Sequence, residues 1–132
     1  MRVVLANGVF DLLHPGHVEH LRAARALGDF LIVSLTLDQF VNKGPNRPCF
    51  KWDDRASVLR ELRSVDCVLP TACAVDAIRQ VRPAVFVKGR DYMRGEFTED
   101  IAGALAEVGA KLHITTTAKR SSTELLRRAG II

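Results

Sequence analysis

The sequence predicts an α/β fold built on a parallel sheet, and three observations predict it. Short apolar runs alternate with amphipathic stretches five times along the chain. The runs are almost continuously apolar, as strands buried on both faces must be. Turn and capping signals (Asn7-Gly8, Gly28, Gly109, Ser121-x-x-Glu124) separate them. A length of 132 residues suits one domain, 1–132, with a single core.

Each element follows in order. Val3-Val4-Leu5-Ala6, closed by Asn7-Gly8, reads as a buried first strand. Pro15-Gly16 leads into a helix from His17 to Leu27, with Val18, Leu21, Ala24 and Leu27 at helical spacing and Gly28 as its stop. Phe30 to Thr36 is a second strand. Residues 42–51 hold two prolines and a glycine and form a loop. Asp53 is placed to cap a helix through Val58, Leu59 and Leu62. Cys67-Val68-Leu69 is a strand, Ala74 to Val81 a helix, and Ala84 to Val87 a strand ending at Lys88-Gly89. Thr98 to Val108 is a helix closed by Gly109, and Lys111 to Thr115 a strand. Ser121 to Glu124 has capping-box spacing and opens a last helix through Leu125 and Leu126. Ligands of such sheets sit at the C-terminal strand ends, where strand order reverses. That rule singles out the segments after Ala6, Thr36, Val87 and Thr115.

Composition bounds the function. Hydrophobic residues make up 48% and charged residues 26%, a globular balance that argues against disorder. Lys and Arg number 19 against 15 Asp and Glu, a net charge of +4 that suits an anionic partner. No apolar run approaches the roughly 18 residues that span a bilayer, and the N-terminal run is too short for a signal peptide. The expectation is a cytoplasmic protein that engages no membrane. Cys49, Cys67 and Cys73 form no C-x-x-C, so buried or inert thiols are expected rather than disulfides.

The chemistry concentrates after the first strand. His14 and His17 flank Pro15-Gly16 at the mouth of the first helix. Imidazole N–H groups there can join the unsatisfied backbone N–H groups of a helix start, and both suit an anion. Gly16 removes a side chain where a phosphate must come close. Alternatively, two histidines at this spacing are ordinary capping residues, or half of a zinc site with no near third ligand. A nucleic-acid module would use the net charge and Lys119, Arg120, Arg127 and Arg128. Aromatic content of only 6%, with no paired aromatics on a strand, argues against it. Redox use of a dinucleotide fold needs G-x-G-x-x-G, which Asn7-Gly8-Val9-Phe10-Asp11 lacks.

Gly8-Val9-Phe10-Asp11-Leu12-Leu13-His14-Pro15-Gly16-His17 resembles the G-x-F-D-x-x-H-x-G-H signature of the cytidylyltransferase-like nucleotidyltransferases. Leu27-Gly28-Asp29-Phe30-Leu31-Ile32-Val33, Arg55 and Arg63-Ser64-Val65-Asp66 extend the resemblance over nearly the whole chain. It implies a Rossmann-like three-layer sandwich with a five-stranded parallel sheet. Two branches compete. Lys43-Gly44-Pro45-Asn46-Arg47-Pro48 is similar to the "KGPxRP" loop of ADP-heptose synthase adenylyltransferases, and Val87-Lys88-Gly89-Arg90-Asp91-Tyr92 to their "VKGGDY". The glycerol-3-phosphate cytidylyltransferase branch has "GDDW" at the latter place. The final motif departs from the family's "G-x-S-T-T". Here it is Lys119-Arg120-Ser121-Ser122-Thr123, and Thr116 stands where cytidylyltransferases place an arginine.

The resemblance implies transfer of a nucleoside monophosphate from a nucleoside triphosphate to a sugar or polyol phosphate, with pyrophosphate leaving. A nucleotide-binding sensor without turnover is the non-enzyme alternative. His14, His17, Lys43 and Asp11 are the expected catalytic residues. Gly8, Val9, Phe10, Gly16, Lys88, Gly89, Asp91, Arg120, Ser121, Ser122 and Thr123 are expected to bind nucleotide. Arg55 and Arg63 are candidates for the acceptor phosphate, since guanidinium matches phosphate bidentately; Arg63 pairing with Asp66 is the alternative. Asp11 and Asp91 are the expected Mg²⁺ ligands. No nucleic-acid partner is expected, and a homodimer is.

Overall fold

The computed structural model describes residues 1–90, 92–116 and 122–132. Its strands are β1 (Val3–Gly8), β2 (Phe30–Thr36), β3 (Cys67–Thr71), β4 (Val85–Lys88) and β5 (Lys111–Ile114). Its helices are α1 (Pro15–Arg25), α2 (Trp52–Arg60), α3 (Ala74–Val81), α4 (Glu99–Val108) and α5 (Ser122–Arg128). The strands form one parallel sheet in the order β3-β2-β1-β4-β5. This is the predicted five-stranded α/β architecture.

Strand alternation sorts the apolar residues onto two cores. Val4 and Ala6 of β1, with Leu31, Val33 and Leu35 of β2, meet Leu21 and Ala24 of α1 and Ala56 and Leu59 of α2. Leu5 and Phe86 point to the other face and meet Ala77 and Ile78 of α3 and Ala104 and Leu105 of α4. Helices therefore cover both faces, and β1 is central and fully buried from Val4 to Ala6. Strand order reverses on either side of β1. The segments after β1 and β4 flank that reversal, where a sheet of this kind leaves a crevice.

Local details differ from the sequence reading in several places. Helix α1 starts two residues earlier, because Pro15 takes the first helical position and His14 becomes the N-cap. Helix α2 begins after Lys51, so Asp53 lies inside the first turn and suits the helix dipole instead of capping. That helix ends at Arg60, and Val58 is 51% exposed, so Ala56 and Leu59 form its buried stripe. The three cysteines are free, but Cys49 and Cys73 are exposed rather than buried.

Gly28 does more than stop a helix. The C-cap of α1 is Ala26, and Gly28 lies beyond it against the start of β1. Asp29 N–H donates to the Arg2 carbonyl at 2.8 Å, and Arg2 N–H to the Asp29 carboxylate at 2.7 Å. A Cβ on Gly28 would stand 2.6 Å from the Arg2 carbonyl oxygen and 2.8 Å from Val4 Cγ2. Gly28→Ala is expected to lower stability by about 1–3 kcal/mol. A urea midpoint equal to that of the unsubstituted protein would refute the close approach.

Candidate active site

The site is built on the start of α1. Gly16 N–H donates to His14 Nδ1 at 3.1 Å, and His14 N–H donates to His17 Nδ1 at 3.3 Å. The two histidines thus form a reciprocal capping box around Pro15-Gly16. Because both Nδ1 atoms accept, the geometry assigns the proton of each neutral ring to Nε2. The rings stack at 3.8 Å between centroids, and Phe10 meets His17 edge-on at 5.2 Å. Phe10 holds a left-handed φ of 49° with its ring over Gly8; a Cβ there would lie 2.9 Å from Phe10 Cε2. Burial, then the charges of His14, Lys43 and His20, pushes the His17 pKa down to about 3.

Lysines supply the charge. Lys88, at the end of β4, donates from Nζ to the Asn7 carbonyl at 2.8 Å and lies 5.0 Å over the Tyr92 ring. Burial pulls its pKa down to about 8, with Glu96 opposing and Lys43 adding to the fall. Lys43 is itself lowered, first by loss of water around its ammonium and then by Arg47, against Asp11 and Glu96. The charges of Lys43 and Lys88 therefore act on the histidines at the start of α1 and on each other. Val9 lies in the loop between β1 and α1, Gly16 in the first turn of α1, and the Gly89 carbonyl accepts from Tyr92 N–H at 3.1 Å. A third histidine, His20, joins them one turn beyond His17. Its Nδ1 lies 2.8 Å from Thr115 Oγ1 at the end of β5. Burial and the Lys88 charge push it down to about 4.

Two candidates have other work, and a third lies away from the site. Asp11 is 1% exposed, and its carboxylate accepts from Arg47 Nε at 3.1 Å, Cys49 N–H at 2.6 Å and Phe50 N–H at 3.0 Å. A carboxylate so occupied does not fit a Mg²⁺ ligand or a catalytic group. Arg55 is 3% exposed and binds the Phe50 and Val9 carbonyls at 2.9 Å each and Asp38 at 2.6 Å. Its guanidinium is consumed by the protein and does not face an acceptor phosphate. Arg63 is exposed in the turn before β3, at the N-terminal strand edge opposite the site. Its supposed partner Asp66 instead pairs with Arg25 at 3.1 Å and accepts from Leu31 N–H at 2.8 Å.

Asp91, Lys119, Arg120 and Ser121 lie outside the described residues, as does the side chain of Ser122. Thr123 is described and accepts from Arg47 at 3.2 Å. The sequence reading missed His20 and the role of Arg47. For His20 a signal existed: residues 14, 17 and 20 recur at the i, i+3 spacing of one helix face. For Arg47 there was none, since its partners are 36 and 76 positions away.

A cytidylyltransferase-like family model matches residues 5–128. The chain belongs to the cytidylyltransferase-like family. This family member is 43% identical over 135 residues to the bifunctional protein HldE of Methylobacillus flagellatus. It is 42% identical over 134 residues to that of Gluconobacter oxydans. Each alignment covers 96% of this chain and 27% of the relative, so the chain spans about a quarter of the curated relatives it matches. Among solved structures, the lipopolysaccharide core biosynthesis protein of Thermoplasma volcanium GSS1 matches with a TM-score of 0.74 at 27% identity. That match covers 92% of this chain and 99% of the other.

The depressed histidines make stability acid-sensitive. Between pH 6.5 and about 4 the unfolded chain protonates both rings while the folded chain keeps them neutral. The unfolded state then binds more protons, and stability falls as pH drops through that window. The expected loss is roughly 1 kcal/mol per pH unit for each histidine. His20→Asn should flatten the dependence of melting temperature on pH between 6.5 and 4.5; an unchanged slope would contradict a buried neutral His20.

Proposed function

We propose that this family member transfers a nucleoside monophosphate from a nucleoside triphosphate to a sugar phosphate and releases pyrophosphate. Adenylyl transfer to a heptose 1-phosphate is the preferred form. The observation that carries the reading is the pair of stacked, neutral imidazoles at the start of α1 beside Lys43 and Lys88. The relatives named HldE, and the resemblance of the 43–48 and 87–92 segments to the heptose branch, favour the acceptor and the adenine nucleotide.

The chemistry is an in-line displacement. A phosphate oxygen of the acceptor attacks the α-phosphorus, and the bond from that phosphorus to the bridging oxygen of the β-phosphate breaks. The electron pair leaves with pyrophosphate, and no covalent enzyme intermediate is needed. His14 and His17 donate from Nε2–H to phosphate oxygens on which charge accumulates. Their neutrality keeps each Nδ1 available as an acceptor, so the donors are held in place by the helix itself. Lys43 and Lys88 offset the triphosphate charge. Mg²⁺ in this reading arrives with the triphosphate rather than on Asp11. The reading also takes the protein to act in the cytoplasm as a homodimer. No described helix is long and apolar enough to cross a membrane, and pairing would bury more surface on so small a body.

Two experiments test the reading. Thermal-shift screening of the four nucleoside triphosphates should give one clear stabiliser, and that nucleotide with a heptose phosphate should release pyrophosphate. His17→Ala, folded, should lose about 10²–10³-fold in kcat; near-normal turnover would overturn the central role. Lys88 loses its charge as pH rises through about 8. The kcat/KM for the triphosphate should therefore decline on that alkaline side, and Lys88→Met should lack that limb.

A further inference from the structure

The loop of residues 42–51 carries Lys43 but contains no helix or strand of its own. It also holds two prolines and the left-handed Gly44, whose φ is 93°. Lys43 is exposed, yet its charge acts on His17, so something outside the loop must fix where it stands. Arg47, four residues on, uses each arm of its guanidinium on a different atom. Nε donates to Asp11 Oδ2 at 3.1 Å, one terminal nitrogen donates to the Asp11 carbonyl, and the other donates to Thr123 Oγ1 at 3.2 Å. The Arg47 side chain is 4% exposed and that of Asp11 0%. A buried pair of this kind holds position strongly, because separating it strands a charge away from water. Past Pro48, the same carboxylate takes Cys49 and Phe50 N–H, so the loop is gripped on both sides of the proline.

We propose that Arg47 is a positioning residue that sets Lys43 and the Thr123 hydroxyl toward the departing pyrophosphate, by clamping the Lys43 loop and the last helix onto Asp11. The assignment rests on the nucleotidyl-transfer reading above. Because Arg47 occupies Thr123 Oγ1 as an acceptor, the hydroxyl proton is directed elsewhere and can donate to a phosphate oxygen. Arg47 and Lys43 also lie close enough for their charges to oppose each other, and Lys43 is close enough to act on His17. A lysine at position 47 would satisfy the Asp11 charge but not the three directions, since its ammonium is a single point donor on a flexible stem.

The test compares Arg47→Gln and Arg47→Lys in the full chain. Steady-state pyrophosphate release is measured with triphosphate and acceptor varied separately. Trypsin cleavage at Lys43-Gly44 is measured without nucleotide; Arg47 itself is followed by proline and is not a competing site. Both variants should lose roughly 10- to 100-fold in kcat, keep the KM for the acceptor, and be cut faster at Lys43-Gly44. Normal kcat in both variants overturns the proposal. So does a fall in kcat with unchanged cleavage, because the loop would then not be what moved. A raised acceptor KM at constant kcat overturns it too, by making Arg47 a ligand of the acceptor phosphate. If Arg47→Gln does not fold, Arg47→Lys decides. If the unsubstituted chain releases no pyrophosphate, the functional reading falls while the cleavage comparison still judges the clamp, and equal rates refute it.

Discussion

The Asp11 carboxylate is the constraint on which the rest of the site depends. It is removed from water, and a buried charge must be paired and hydrogen-bonded to be tolerated. The partners come from a segment 36 to 39 positions along the chain: Arg47, Cys49 N–H and Phe50 N–H. Satisfying one side chain therefore brings the loop after β2 onto the loop after β1. Arg55 makes a second tie between the same segments through the carbonyls of Val9 and Phe50, and adds Asp38 from the turn after β2. Held from two sides, the first loop keeps Phe10 over Gly8 and against His17. The position of the His17 ring is thus a consequence of ion pairs that touch no substrate.

This explains what was legible in the sequence and what was not. The bounds of β2 and α3 agree with those read from apolar runs and helical spacing, because both patterns are local. The end of α2 was misjudged because Val58 fits the spacing yet is exposed, and Leu62 packs on the core from beyond the helix end at Arg60. Asp11 and Arg55 were placed in the right neighbourhood and given the wrong work. A charged residue in a phosphate-binding loop reads the same in one dimension whether it faces the ligand or the protein. Burial tells the two apart, and burial comes from partners far along the chain. Arg63 failed for a different reason. Its neighbour Asp66 suggested a local pair, but Asp66 is used by Arg25 and the backbone of β2 at the opposite edge of the sheet.

The first helix shows how a fold and a reaction can share the same protons. A capping side chain must accept from free backbone N–H groups. An imidazole does so only while Nδ1 is unprotonated, so capping fixes the tautomer and leaves the ring proton on Nε2. Burial and neighbouring cations then hold His17, and with it His20, far below the pH at which a free imidazole would charge.

Division of labour follows from that. In the proposed reaction, neutral rings serve as directional donors with fixed orientation, whereas the positive charge needed against a triphosphate is assigned to Lys43 and Lys88. Lysine charge is adjustable, and the Lys88 pKa is already lowered by burial. An incoming phosphate would reverse part of that shift by Coulomb attraction, so the site grows more cationic as it fills. The histidines cannot respond in this way without breaking the cap that starts α1. The net charge of +4 in the sequence is therefore only a coarse sign of the binding chemistry. In the proposed reading, the geometry of uncharged donors organises the anion, and the lysines adjust to the charge that those donors admit.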